Sequence, residues 1–242
     1  MCFMKEEVLV ECSQIDKFYG KKQALKKVDL KLFTNRITFL MGENGAGKST
    51  LCKILALLSS KSNGKLFYKN TEIKGELRAE YKKILGYLSH QTFIYSHLSA
   101  WENLVFFANL YGIKNKKEKI EQLMDSFGII ENKNQIAGTF SRGLQQRLSL
   151  ARTLLNDPNV LLLDEPFAGL DPCALNNLAK ILLDQKNSER TILIVTHEID
   201  DTIEIADNFI ILKAGEKVFE GSFYSKENLK EVYFEYFGGE KQ

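Results

Sequence analysis

Little in these 242 residues is in excess, and each shortage excludes a class of protein. The four cysteines, Cys2, Cys12, Cys52 and Cys173, show no Cys-x-x-Cys spacing. They suggest neither a disulfide framework nor a zinc site, and they fit a reducing cytosol. Prolines stand only at 158, 166 and 172, and none breaks a segment with helical periodicity. The longest apolar runs, such as 104–108 and 160–163, are far short of the roughly 18 residues a membrane span requires. No sign of charge dominates: 33 Lys and Arg face 31 Asp and Glu, a net +2. That balance is too small to imply a nucleic-acid partner, and none is expected. Lys5, Glu6 and Glu7 stand where an export leader would need an apolar centre, so no leader is expected. Repeats, low-complexity tracts and linkers are also missing. What remains is 44% hydrophobic and 26% charged, an ordinary globular balance that excludes disorder.

Strand-like and helix-like segments alternate. Short alternating or apolar runs predict strands at 8–12, 28–32, 37–41, 65–68, 84–88, 160–163, 192–196, 209–212 and 217–220. Helical spacing predicts helices over 48–58, 100–111, 116–127, 142–155, 172–186 and 226–237. Ser99 and Glu102 have the spacing of a capping box, and Asp171-Pro172 suits a cap followed by a first helical turn. The reading is one α/β domain over 1–242. Its core comprises 1–91 and 158–242, interrupted by a helical segment over 92–157.

Gly42-Glu43-Asn44-Gly45-Ala46-Gly47-Lys48-Ser49-Thr50 matches G-x-x-x-x-G-K-[ST] and lies between a predicted strand and a predicted helix. Its glycines allow backbone N–H groups to surround a phosphate, and the helix N-terminus adds partial positive charge. Lys48 can bridge the β- and γ-phosphates of ATP, and the Ser49 hydroxyl can ligate Mg²⁺. A second chemical segment, the apolar run Val160-Leu161-Leu162-Leu163, ends in Asp164-Glu165-Pro166. Acids at a strand end of a parallel sheet stand where ligands are expected. Asp164 is expected to hold Mg²⁺ through water, and Glu165 to act as general base on the attacking water.

Phe140-Ser141-Arg142-Gly143-Leu144-Gln145-Gln146-Arg147 opens a helix with Ser141 as its cap. Here the chain resembles the ATP-binding subunits of ABC transporters along nearly its whole length. The 140–147 segment is similar to that family's signature, usually Leu-Ser-Gly-Gly-Gln followed by Gln and Arg. Arg142 replaces the usual glycine and Leu144 the usual glutamine, whereas Ser141 and Gly143 remain. Arg142 either strengthens anion attraction or points away to solvent.

The resemblance implies a P-loop NTPase core with an antiparallel β-subdomain and an inserted helical subdomain. It implies that Tyr19 stacks on adenine. Gln91 would sense Mg²⁺ and the γ-phosphate, and His197 would contact the γ-phosphate. The 168–171 loop, ending in Asp171, would cross a dimer interface. The expected catalytic set is therefore Glu165, His197 and Gln91, and the expected metal set is Ser49, Gln91 and Asp164. The nucleotide set is Tyr19, Gly42, Asn44, Gly45, Ala46, Gly47, Lys48, Ser49, Thr50, Ser141, Gly143 and Asp171.

Two copies arranged head to tail, or one with a related ATPase, would pair each Ser141 with the other chain's nucleotide. A separate transmembrane permease would be the partner, placing the chain peripherally on the cytoplasmic face of a membrane. Phe93–Tyr95, Trp101 and 106–107 would be the docking element, although most of these aromatics are expected to pack internally. The segments 86–91 and 98–104 and the Phe-Ser-Arg-Gly stretch are similar to the haem-exporter ATPase of cytochrome c biogenesis and to bacterial drug and polysaccharide exporters. The competing readings are a soluble ATPase of this type, such as one for iron–sulfur assembly, and a small-molecule kinase. The kinase reading leaves the 140–147 segment and His197 unexplained.

Overall fold

The computed structural model describes residues 7–89, 92–187, 190–197, 204–222 and 226–237. Two sheets organise them. In the first, β1 (Val8–Tyr19) and β2 (Lys22–Phe33) form a long antiparallel hairpin. β4 (Asn63–Tyr68) pairs antiparallel with β1, and β5 (Thr71–Glu72) with β4. In the second the strand order is β10-β9-β3-β8-β7-β6, from β3 (Ile37–Met41), β6 (Leu85–Leu88), β7 (Val160–Asp164), β8 (Thr191–Val195), β9 (Asn208–Lys213) and β10 (Glu216–Gly221). Five strands run parallel, and β10 closes the edge antiparallel to β9.

β3, β7 and β8 are buried at every position, which accounts for their unbroken apolar runs. Successive residues feed opposite cores. Leu40, Leu162, Leu193 and Leu212 meet the antiparallel sheet and α1 (Lys48–Leu55). Phe39, Leu161, Ile194 and Ile211 meet the core on the other face, which the helical insertion shares. There α3 (Ala100–Leu110), α4 (Lys116–Ser126) and α5 (Arg142–Leu154) contribute Leu104, Met124 and Leu148.

The Ser99–Glu102 capping box forms, with Glu102 N donating to Ser99 Oγ at 3.2 Å and Ser99 N to Glu102 Oε2 at 2.8 Å. Asp171 caps α6 (Pro172–Asn187) by accepting from Ala174 N at 2.9 Å. α7 (Lys226–Phe237) closes the described chain.

Three expectations shift. β1 runs on to Tyr19, because bulges between Cys12 and Phe18 break its alternation without ending its pairing. α1 stops at Leu55 rather than near 58: Leu57 takes a left-handed φ of 56°, and Leu58 N and Ser59 N turn back to Lys53 O. α2 (Gly75–Lys83) has no counterpart among the expected helices; only Tyr81 on it is buried, so it shows no apolar stripe.

Candidate nucleotide site

β3 ends in the phosphate loop and α1 leaves it. Gly47 precedes α1 without a side-chain cap, so the helix N-terminus keeps open N–H groups. Gly42 permits the close approach of loop and sheet: a Cβ there would lie 2.2 Å from Leu212 O. Lys48 is buried, and its ammonium donates to Gly42 O at 2.7 Å and Glu43 O at 3.0 Å. An ammonium has three donors, so one remains for an anion. Burial pushes the Lys48 pKa down, and the nearby carboxylates of Glu165 and Asp164 oppose that shift.

β7 carries Asp164 to the same place. Its side chain is buried, and the Ser49 hydroxyl donates to Asp164 Oδ1 at 2.9 Å. Glu165 follows with a left-handed φ of 54°, a strained conformation for a residue with a Cβ. Its N–H donates to Val195 O at 2.9 Å, and its Oε1 lies 2.8 Å from His197 Nδ1. The loop after β7 and the end of β8 therefore bring an acid and an imidazole together from 32 residues apart.

Tyr19, Asn44, Gly45, Gly47, Lys48, Ser49, Thr50, Asp164, Glu165 and His197 all line one cavity of about 540 Å³. Gly42 and Ala46 are buried within its loop. Gln91 lies outside the described residues. Ser141, Gly143 and Asp171 do not line this cavity: Ser141 caps α5, Gly143 lies in its first turn and Asp171 caps α6.

Lys17 has no motif to mark it in the sequence. It is nearly buried, donates to Ser60 O at 2.6 Å and sets its ammonium 4.8 Å from the Tyr19 ring centre. The ring itself is half exposed. Lys22 and Lys53 add further cations to the cavity wall. Among the described residues no three His, Cys, Asp or Glu side chains cluster as a metal site. The hydroxyl and carboxylate of Ser49 and Asp164 instead form a small hard-oxygen set. This suits Mg²⁺, which is held by one or two carboxylates together with substrate phosphates.

The aromatics of the helical insertion correct an expectation. Phe93, Tyr95 and Phe106 are exposed rather than internal, whereas Trp101 and Phe107 are half-buried. Tyr95 packs edge-on to Phe106 at 4.9 Å, so these rings shelter one another on the surface.

A phosphate loop on a parallel sheet, with an acid pair at the end of the strand two places away, defines a P-loop nucleotide-binding protein. The sequence model of the ABC transporter family matches residues 25–168. Over 235 residues the chain is 32% identical to the ABC transporter ATP-binding protein NatA of Bacillus subtilis, covering 93% of this chain and 94% of that protein. It is 31% identical over 225 residues to the lantibiotic transport ATP-binding protein SrtF of Streptococcus pyogenes, covering 93% and 96%. The structure of cbiO1 from Clostridium perfringens, part of an ABC transporter complex, superposes with a TM-score of 0.81 at 26% identity, covering 96% of this chain and 92% of that one. The chain belongs to the ABC transporter ATP-binding family, whose characteristic reaction is ATP hydrolysis. Its fold is the ABC ATPase fold. Among the described residues, no helix is long and apolar enough to cross a membrane.

Proposed function

We propose that the chain is the ATP-hydrolysing subunit of an exporter, acting as a head-to-tail dimer on a separate transmembrane permease. The observation that carries this reading is the single cavity uniting Lys48, Ser49, Asp164, Glu165 and His197. In it Lys48 and the open α1 terminus bind the ATP phosphates, while Tyr19 offers its exposed ring to adenine. Ser49 and Asp164, with Gln91, would hold Mg²⁺, which when bound neutralises charge on the phosphates. Glu165 takes a proton from the attacking water, and His197 holds the Glu165 carboxylate in place.

The monomer supports a composite site, because Ser141 and Gly143 lie outside the cavity that holds the phosphate loop. A second copy, or a related ATPase, supplies them. The unit of function in this reading is one domain, with 92–157 as its helical, signature-bearing part. It works peripherally at the cytoplasmic face of a membrane. An export role is supported by relatives such as the lantibiotic transport protein and the lipopolysaccharide export ATP-binding protein LptB of Haemophilus influenzae. The segments 86–91 and 98–104 resemble the haem-exporter ATPase of cytochrome c biogenesis as well as drug and polysaccharide exporters, and haem is the cargo of the first of these readings.

The test mixes a Ser141-disrupted chain with a Lys48-disrupted chain. The mixture should recover activity from one complete site per mixed dimer, whereas each variant alone is inactive. No recovery, or full activity in a strictly monomeric form, contradicts the head-to-tail arrangement. Co-purification of a permease from membranes separates the exporter from a soluble ATPase.

A further inference from the structure

The tip of the β1–β2 hairpin reaches the nucleotide cavity, and it is held at both ends of α1. Before α1, Gly47 meets the hairpin so closely that a Cβ there would lie 2.7 Å from Ala24 O and 2.7 Å from Leu25 Cδ2. After α1, the segment 60–62 joins β1 by three bonds. Ser62 N donates to Asp16 O at 2.8 Å, Phe18 N to Ser62 Oγ at 3.0 Å and Lys17 Nζ to Ser60 O at 2.6 Å. Tyr19, the last residue of β1, is thereby carried to a set place beside the phosphate loop.

Lys17 is the unexpected residue in this lattice. It is only 9% exposed, and burying a charge is costly unless it is compensated. A neutral side chain of similar length would fill the space without that cost. The ammonium has two partners of different kinds, the Ser60 carbonyl and the face of the Tyr19 ring, whose centre lies 4.8 Å away. Lys17 and Tyr19 stand two residues apart on one strand, so they share a face of it. A cation over a ring is attracted by the π-electrons, and more strongly where water is excluded. The cation takes one face of the ring and leaves the other for a planar base. A half-exposed tyrosine without such a contact exchanges rotamers freely.

We propose that Lys17 is a positioning residue for the adenine of ATP, acting through the Tyr19 ring. This rests on the reading of Tyr19 as the adenine platform. The bond to Ser60 O keeps the ammonium from turning out to solvent. The ammonium holds the ring in one orientation before ATP arrives, so the ordering cost of binding is met in advance. It also draws ring electron density toward itself. The free face becomes less negative and stacks better on the π-face of a purine.

The test compares a ligand with a base and one without. ATP and inorganic tripolyphosphate, each with Mg²⁺, are titrated calorimetrically into the wild type, Lys17→Met, Tyr19→Ala and the double variant. Lys17→Met should weaken ATP binding by about 3- to 10-fold, the scale of one desolvated cation–π contact. Tripolyphosphate affinity should stay within about 2-fold, because it has nothing to stack. Added to Tyr19→Ala, Lys17→Met should change ATP affinity by less than about 2-fold, since the ring through which it acts is gone. If Lys17→Met does not fold, Lys17→Gln decides, because its amide can still donate to Ser60 O but carries no charge.

Unchanged ATP affinity in the folded Lys17 variant overturns the proposal. An equal loss for ATP and tripolyphosphate does the same, since Lys17 would then serve the phosphates or the fold at large. Additive losses in the double variant also overturn it. Tyr19→Ala separates the two levels. If it leaves the ratio of ATP to tripolyphosphate affinity unchanged, the adenine platform itself is lost. If it lowers that ratio while Lys17→Met does not, only the positioning role is lost.

Discussion

The Ser49 hydroxyl lies 2.9 Å from Asp164 Oδ1, joining the first turn of α1 to the end of β7 across 115 residues of sequence. Two hard-oxygen groups are thus held together before any cation arrives. Ser49→Ala should raise the Mg²⁺ concentration for half-maximal ATP hydrolysis by at least about 10-fold, the usual scale for losing a group that supports a metal. A Mg²⁺ titration of the rate checks this, and an unchanged midpoint would show the bond to be purely structural.

Lys48→Ala removes a buried cation and leaves the Gly42 and Glu43 carbonyls without their donor. A lost charge-assisted bond costs about 1.5–3 kcal/mol, so ATP affinity should fall roughly 10- to 100-fold or more. Burial lowers the Lys48 pKa from 10.5, because the charged form is the one disfavoured. In the wild type, ATP binding should therefore weaken as pH rises, starting below the ordinary lysine range. Titrations of a fluorescent ATP analogue at several pH values measure both effects.

Tyr19→Ala should separate binding from chemistry. The ring is half exposed at the mouth of the cavity and steadied by Lys17, far from the Glu165–His197 pair in sequence and role. Loss of base stacking costs about 1–3 kcal/mol, which should appear as a raised KM with kcat retained. A fall in kcat at saturating ATP would assign the ring a different task.

Alkaline stability should depend on Cys12. Burial pushes its thiol from 9.0 up to about 12, so the folded state keeps a proton that the unfolded state gives up. The folded pKa is the higher one. The contribution is complete below about 9 and is lost as pH rises toward 12. Its steepest slope is about 1.4 kcal/mol per pH unit. Denaturant titrations between pH 8 and 11 should show a shallower loss in Cys12→Ala than in the wild type.

Much of this molecule is legible in its sequence, and for identifiable reasons. β3 and β7 are buried on both faces and read as unbroken apolar runs. The phosphate loop, the capping box of α3 and the Asp171 cap depend on residue types at fixed short spacings, which sequence displays directly. α2 was hidden because its stability owes little to an apolar stripe, and β5 because two residues carry no period. The shared cavity is a product of sheet order: β3, β8 and β7 lie side by side although more than 100 residues separate β3 from β7. The left-handed φ values at Glu165 and Gly169 are conformational facts with no local sequence signal beyond the glycine itself.

The central claim is that Glu165 performs the chemistry in a site that other residues assemble. Glu165→Gln keeps the shape of the side chain and removes the base. Size-exclusion chromatography with ATP and Mg²⁺, run beside a hydrolysis assay, measures both halves of the claim. The account predicts a hydrolysis rate lower by about 10²–10⁴-fold, with ATP still bound and the chain trapped as a dimer. Hydrolysis at the wild-type rate would contradict it and turn the search for the base to His197.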